Sequence, residues 1–83
     1  MRKSITFNNA KIGYNAEKGT HHAIDSEGDI KIIKGQYNLI SGGGKGIQSE
    51  KNLYIGEENG NNADLELSIT TNDEGIEAMG IIS

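Results

Sequence analysis

Three tetrapeptides of one kind, Ala23-Ile24-Asp25-Ser26, Gly46-Ile47-Gln48-Ser49 and Gly75-Ile76-Glu77-Ala78, recur along this chain at spacings of 23 and 29 residues. Self-similarity at such a period marks a repeat architecture and restricts the fold more than any local pattern does. The longer spacing holds an insertion, Glu57 to Asp64. A second pattern follows the first at the same interval, Asp29-Ile30-Lys31-Ile32 and then Asn52-Leu53-Tyr54-Ile55. A third, Gly35-Gln36-Tyr37-Asn38-Leu39-Ile40-Ser41, is answered after the insertion by Leu67-Ser68-Ile69-Thr70-Thr71. The start of the chain fits too: Ile5-Thr6-Phe7, Ala10 and Ile12 to Ala16 precede their counterparts by 25 residues. Nearly the whole chain, residues 5–83, is one unit repeated.

Each unit holds three short segments of alternating polarity, separated by Gly, Asn and Asp, and alternation turns every second side chain to one face of a strand. Of the residue types that fill such faces, Ile occurs 13 times and Val never, while Pro is absent and no window keeps helical spacing. Three short faces per repeat predict a triangular coil stacked on the next coil at about 4.8 Å. The fold class expected is all-β, a right-handed parallel β-helix of about three and a half coils, with residues 1–83 forming a single solenoid domain that is part of a longer array or open-ended. Right-handedness follows from the general rule for parallel crossovers. The predicted inward columns are Ile24/Ile47/Ile76, then Ile5/Ile30/Leu53 with Phe7/Ile32/Ile55, then Ile12/Tyr37/Leu67 with Tyr14/Leu39/Ile69. Ser26, Ser49 and Ala78 are small where the chain turns, and Gly28, Gly35, Gly46 and Gly75 suit corners of positive φ.

Composition excludes several functions. The chain has 83 residues, a net charge of −4 and eight basic residues that form no run, which argues against nucleic-acid binding. No apolar run is long enough to cross a bilayer, and Met1-Arg2-Lys3 is not followed by the apolar core of a signal peptide. Cysteine is absent, which removes disulfides, thiolate catalysis and sulfur-ligated zinc.

Candidate chemistry is sparse, and no cofactor, metal or catalytic residue is expected. His21 and His22 are adjacent and would point to opposite sides of a strand, with no third ligand in step. Gly42-Gly43-Gly44-Lys45-Gly46 is similar to a phosphate loop but lacks the following Ser or Thr and the strand-loop-helix context, so it reads as a flexible corner. Asp25, Gln48 and Glu77 form a predicted outward ladder whose carboxylates could meet sugar hydroxyls or calcium. A second outward ladder, Thr6/Lys31/Tyr54 beside Asn8/Ile33/Gly56, places the apolar groups of Tyr54 and Ile33 on a wet face, where they suit sugar stacking or a lateral protein contact. The ligand-binding candidates are therefore Tyr54, Lys31, Ile33, Asp25, Gln48 and Glu77.

The pattern Gly-Ile-x-Ser, x-Ile-x-Ile, Gly-x-Tyr-x-Leu-x-Ser, as at Gly46 to Ser49, Asp29 to Ile32 and Gly35 to Ser41, resembles the repeats of bacterial extracellular β-helical proteins of the carbohydrate-binding-domain-containing kind. The resemblance covers most of the chain, through motifs that specify the coil and not a ligand. It implies a non-catalytic extracellular or cell-surface module that binds a polysaccharide or glycan, or is adhesive. The chain departs from the pattern by opening in mid-coil and by closing on Ile81-Ile82-Ser83 without a polar cap. Residues 1–41 carry a net charge of +2 and residues 42–83 a net charge of −6. Arg2 and Lys3 at one end thus complement Asp73, Glu74 and Glu77 at the other, and with Ile81 and Ile82 they are the candidates for head-to-tail stacking. Such a contact is heterologous and does not close, so the alternative expectation is a structural filament. A polysaccharide-active enzyme fragment ranks third.

Overall fold

The computed structural model describes residues 3–56 and 64–83. Among them there are seven strands and no helix: β1 Ile5–Ala16, β2 Ile24–Ser26, β3 Ile30–Ser41, β4 Ile47–Ser49, β5 Leu53–Ile55, β6 Leu65–Thr70 and β7 Ile76–Ala78. Every pairing is parallel. One sheet has the order β1-β3-β5, with β6 also paired to β3; the other has the order β2-β4-β7. Parallel neighbours cannot be joined by a tight hairpin. The chain therefore visits the other sheet before each return, save that β5 and β6 both pair with β3, and equivalent residues of successive repeats come to lie side by side.

The register reproduces the inward columns read from the sequence. Ile5, Ile30 and Leu53 are opposite one another, as are Phe7, Ile32 and Ile55. Ile12, Tyr37 and Leu67, then Tyr14, Leu39 and Ile69, align likewise. Ile24, Ile47 and Ile76 form the column of the smaller sheet. Alternation then decides burial: along β3 the residues Ile30, Ile32, Tyr37 and Leu39 are buried while Lys31, Gln36 and Asn38 are exposed. With Ile24, Ile47 and Leu53 they make one core shared by both sheets. Fully burying one such Ile or Leu contributes roughly 1.5–3 kcal/mol. The corresponding side chains of β1, β6 and β7 are only half-buried, because each of those strands has a partner on one side. Phe7 meets Tyr37 edge-on with ring centroids 5.9 Å apart, and the Tyr37 hydroxyl donates to the Lys34 carbonyl at 2.6 Å.

The corners are where the structure departs from the sequence reading. Of the four glycines expected at positive φ only Gly35 has it, at 121°; Gly28 is required for space instead, since a Cβ there would strike the Lys3 carbonyl of the preceding repeat. The serines do more than stay small. Ser26 Oγ donates to the Lys3 carbonyl and Ser49 Oγ to the Gly28 carbonyl, both at 2.7 Å, and each accepts an amide from two residues further on. Side chains also tie one repeat to the next after the turn. Asp29 Oδ1 accepts the Asn52 amide at 3.0 Å, and Asn52 Oδ1 accepts the Ile81 amide at 2.9 Å. The glycine run expected to be a flexible corner is packed: the Gly42 and Gly43 amides donate to Ala16 and Gly19, and the Gly44 carbonyl accepts the Thr71 hydroxyl at 2.6 Å.

Candidate functional site

The first outward ladder stands where the register predicts it. Lys31 lies between Thr6 and Tyr54 on neighbouring parallel strands, and its ammonium sits 5.7 Å from the centre of the Tyr54 ring. An ammonium within about 6 Å of a ring face is attracted by the ring's negative π surface, which fixes the orientation of an otherwise mobile lysine. The ladder expected beside it does not form. Asn8 is opposite Lys34, not Ile33, and the register is irregular between Phe7 and Ala10. Asn9 there has φ 62°, a left-handed conformation that asparagine tolerates better than most residues. Ile33 therefore falls out of the pairing, and Gly56 turns away at φ 93° with its amide on the Ile32 carbonyl.

The second ladder, Asp25/Gln48/Glu77, is also in register. Its end is occupied electrostatically. Lys45 Nζ is 3.4 Å from Asp73 Oδ2 and 3.9 Å from Glu77 Oε2. Loss of solvent contact is the largest influence on the Lys45 ammonium and pulls its pKa down. The Asp73 hydrogen bond and the charges of Asp73, Glu77 and Glu74 together outweigh it, so the pKa stands above its ordinary 10.5. The Asp73 carboxyl is held below its ordinary value, first by the Glu74 backbone amide and then by Lys45. Glu74 is raised because it shares a hydrogen bond with Glu77 and feels that carboxylate's charge. The charge pattern places Asp73, Glu74 and Glu77 on an end surface but does not reveal Lys45 as their partner. Lys45 and Asp73 come from separate corners 28 residues apart, and no periodicity links them.

His21 and His22 lie in the corner before β2, not on a strand. His22 accepts the Lys45 amide at Nδ1, 2.9 Å away, and the His21 carbonyl accepts the Ser41 hydroxyl at 3.0 Å. No three His, Asp or Glu side chains among the described residues converge as metal ligands would. Of the stacking candidates, Lys3 precedes β1 at one sheet edge, whereas Asp73, Glu74 and Glu77 surround β7 at the opposite edge. Ile82 is bridged to Leu53, yet Ile81 and Ile82 remain 65% and 53% exposed, and Met79 74%. Arg2 and the insertion up to Ala63 lie outside the described residues. Comparison with protein-family models, curated proteins and solved structures finds no match to this chain.

Proposed function

We propose that the two parallel sheets are faces of a right-handed parallel β-helix of about three and a half triangular coils, and that the chain is a non-catalytic binding module. The pairing of segments one sequence repeat apart, with the chain visiting both sheets in every repeat, supports the coil. The module is of the bacterial extracellular or cell-surface kind that the repeat pattern resembles, and its ligand is a polysaccharide or surface glycan. The observation that carries this reading is the Lys31–Tyr54 pair, an aromatic ring and an ammonium held in register on a stiff backbone and turned outward. The ring offers an apolar surface for the C–H face of a sugar, and the ammonium can donate to a hydroxyl. A glycan array probed with the folded chain and with Tyr54→Ala tests the reading: selective binding that the substitution removes supports it, and no binding to any glycan contradicts it.

A specific observation favours a second reading, end-to-end self-association. The β7 edge combines exposed Met79, Ile81 and Ile82 with the Asp73, Glu74 and Glu77 carboxylates, while Lys3, Lys11 and Lys18 belong to the β1 edge and the turn after it. Strand edges that face no partner are templates for pairing with another copy. Negative-stain microscopy at physiological and high salt decides it: filaments of uniform width that shorten in salt support assembly, and isolated particles at both salts contradict it.

A further inference from the structure

We infer that the irregular corner between Phe7 and Ala10 forms a subsite for the hydroxyl groups of an uncharged oligosaccharide, an extension of the glycan reading above and dependent on it. Among the described residues, this corner is where the repeat and the pairing disagree. Asn8 is displaced onto Lys34, Asn9 takes the left-handed conformation, and Gly35 opposite Ala10 has φ 121°. Bulges of this kind bend a strand and redirect side chains, and they are frequent beside binding sites. Here the bend opens a cleft of about 650 Å³ whose floor is Ala10 and Gly35. That volume lies in the range of small-ligand sites.

Its lining is polar and mixed. Asn8 and Asn9 stand at the bulge, Lys11, Gln36 and Glu66 form one in-register row across β1, β3 and β6, and Asp64 closes the far side. The Asp64 carbonyl accepts the Gly35 amide at 2.9 Å, which anchors that wall to the floor. Asparagine and glutamine amides both donate and accept, the carboxylates accept and the two lysines, Lys11 and Lys34, donate. Such a set matches a ligand whose polar groups are all hydroxyls, each both donor and acceptor. With Lys11 and Lys34 balanced by Asp64 and Glu66, the lining has no preference for an ionic ligand. Along β3, Lys31 and Gln36 are five residues apart, at most roughly 17 Å and less where the strand bends at Gly35. A disaccharide on Tyr54 would engage at most the near side of the cleft, and a longer chain would reach the Lys11/Gln36/Glu66 row.

The test is chain-length dependence. Binding of a neutral disaccharide and the matching hexasaccharide, cellobiose with cellohexaose and maltose with maltohexaose, is measured calorimetrically for the intact chain, Gln36→Ala and Tyr54→Ala. The subsite requires that Gln36→Ala weaken the hexasaccharide about tenfold, the scale of one or two lost hydrogen bonds, and leave the disaccharide within about twofold. Amide shifts at Lys11, Gln36 and Glu66 should appear with the hexasaccharide alone. A hexasaccharide that loses affinity with Tyr54→Ala but not with Gln36→Ala overturns the subsite and keeps the glycan reading. Failure of the intact chain to bind any of the four sugars overturns the subsite.

Discussion

Ser49 is a small residue on which three polar contacts converge. Fully buried, it donates to the Gly28 carbonyl at 2.7 Å and the Asn52 carbonyl at 3.1 Å and accepts the Lys51 amide at 3.1 Å. Ser49→Ala would leave those groups with fewer partners in a site water does not reach. The expected loss is about 1–3 kcal/mol in urea-unfolding stability. The same residue type is dispensable at position 78, where alanine is half-buried at an outer strand. Neighbours of opposite facing give a sharper contrast. Ile47 is fully buried, so Ile47→Asp places an unpaired carboxylate in the core and should abolish the cooperative unfolding transition. Gln48 lies between Asp25 and Glu77 in the outward ladder, and Gln48→Lys should leave the melting temperature unchanged or raise it. Circular dichroism melts of the two variants check the facing directly.

Between elements, the Lys45 corner makes stability depend on pH. The Lys45 ammonium has a folded pKa above its ordinary 10.5, so its contribution is fully present below 10.5 and is lost as pH rises through the folded value. Asp73, with a lowered folded pKa, contributes above its ordinary 3.8 and that contribution is lost as pH falls. Glu74 works the other way. Its folded pKa exceeds 4.5, so stability falls as pH rises from about 4.5 through the folded value. These groups are solvent-accessible and the effects are small. Lys45→Met should flatten the alkaline limb of a denaturation profile and leave the shape near pH 7 unchanged. How much of this corner the sequence displays follows from its physics. The inward columns are legible because branched apolar residues recur with the period of the fold, as Ile24, Ile47 and Ile76 do. Lys45 with Asp73 is not, since the two are 28 residues apart, one out of step with the 29-residue spacing of the repeat there. Nor is the displacement of Asn8 onto Lys34. The sequence offset is 25 residues both before and after that bulge, and the irregularity lies in backbone angles that spacing does not carry. The serine hydroxyls fall between: their positions are visible and their carbonyl partners are not.

At the scale of the whole molecule, the stack is graded. β3 is paired on both sides and β4 stands between β2 and β7, whereas β1, β2 and β7 have a strand on one side only. Burial follows the same order, complete at Ile30, Ile32, Leu39 and Ile47 and partial at Ile5, Ile12 and Ile76. Amide exchange should therefore be slowest in β3 and β4 and fastest in β1 and β7, because local opening tracks the contacts broken. Uniform protection across all seven strands would show a partner covering the edges. Lys31 and Gln36 belong to the middle of this gradient on β3, while Tyr54 stands on the neighbouring β5 and Asn8 and Asn9 on the neighbouring β1. A rigid support of that kind suits recognition of an extended chain, as rigid elements hold binding groups more accurately than loops do. The account as a whole stands on successive repeats lying side by side, and methyl-labelled isoleucine NMR reads that arrangement most directly. Contacts between Ile24 and Ile47 and between Ile47 and Ile76, with none between Ile24 and Ile76 at about 10 Å, are the predicted result. Isoleucine contacts that join the repeats in any other order would contradict it.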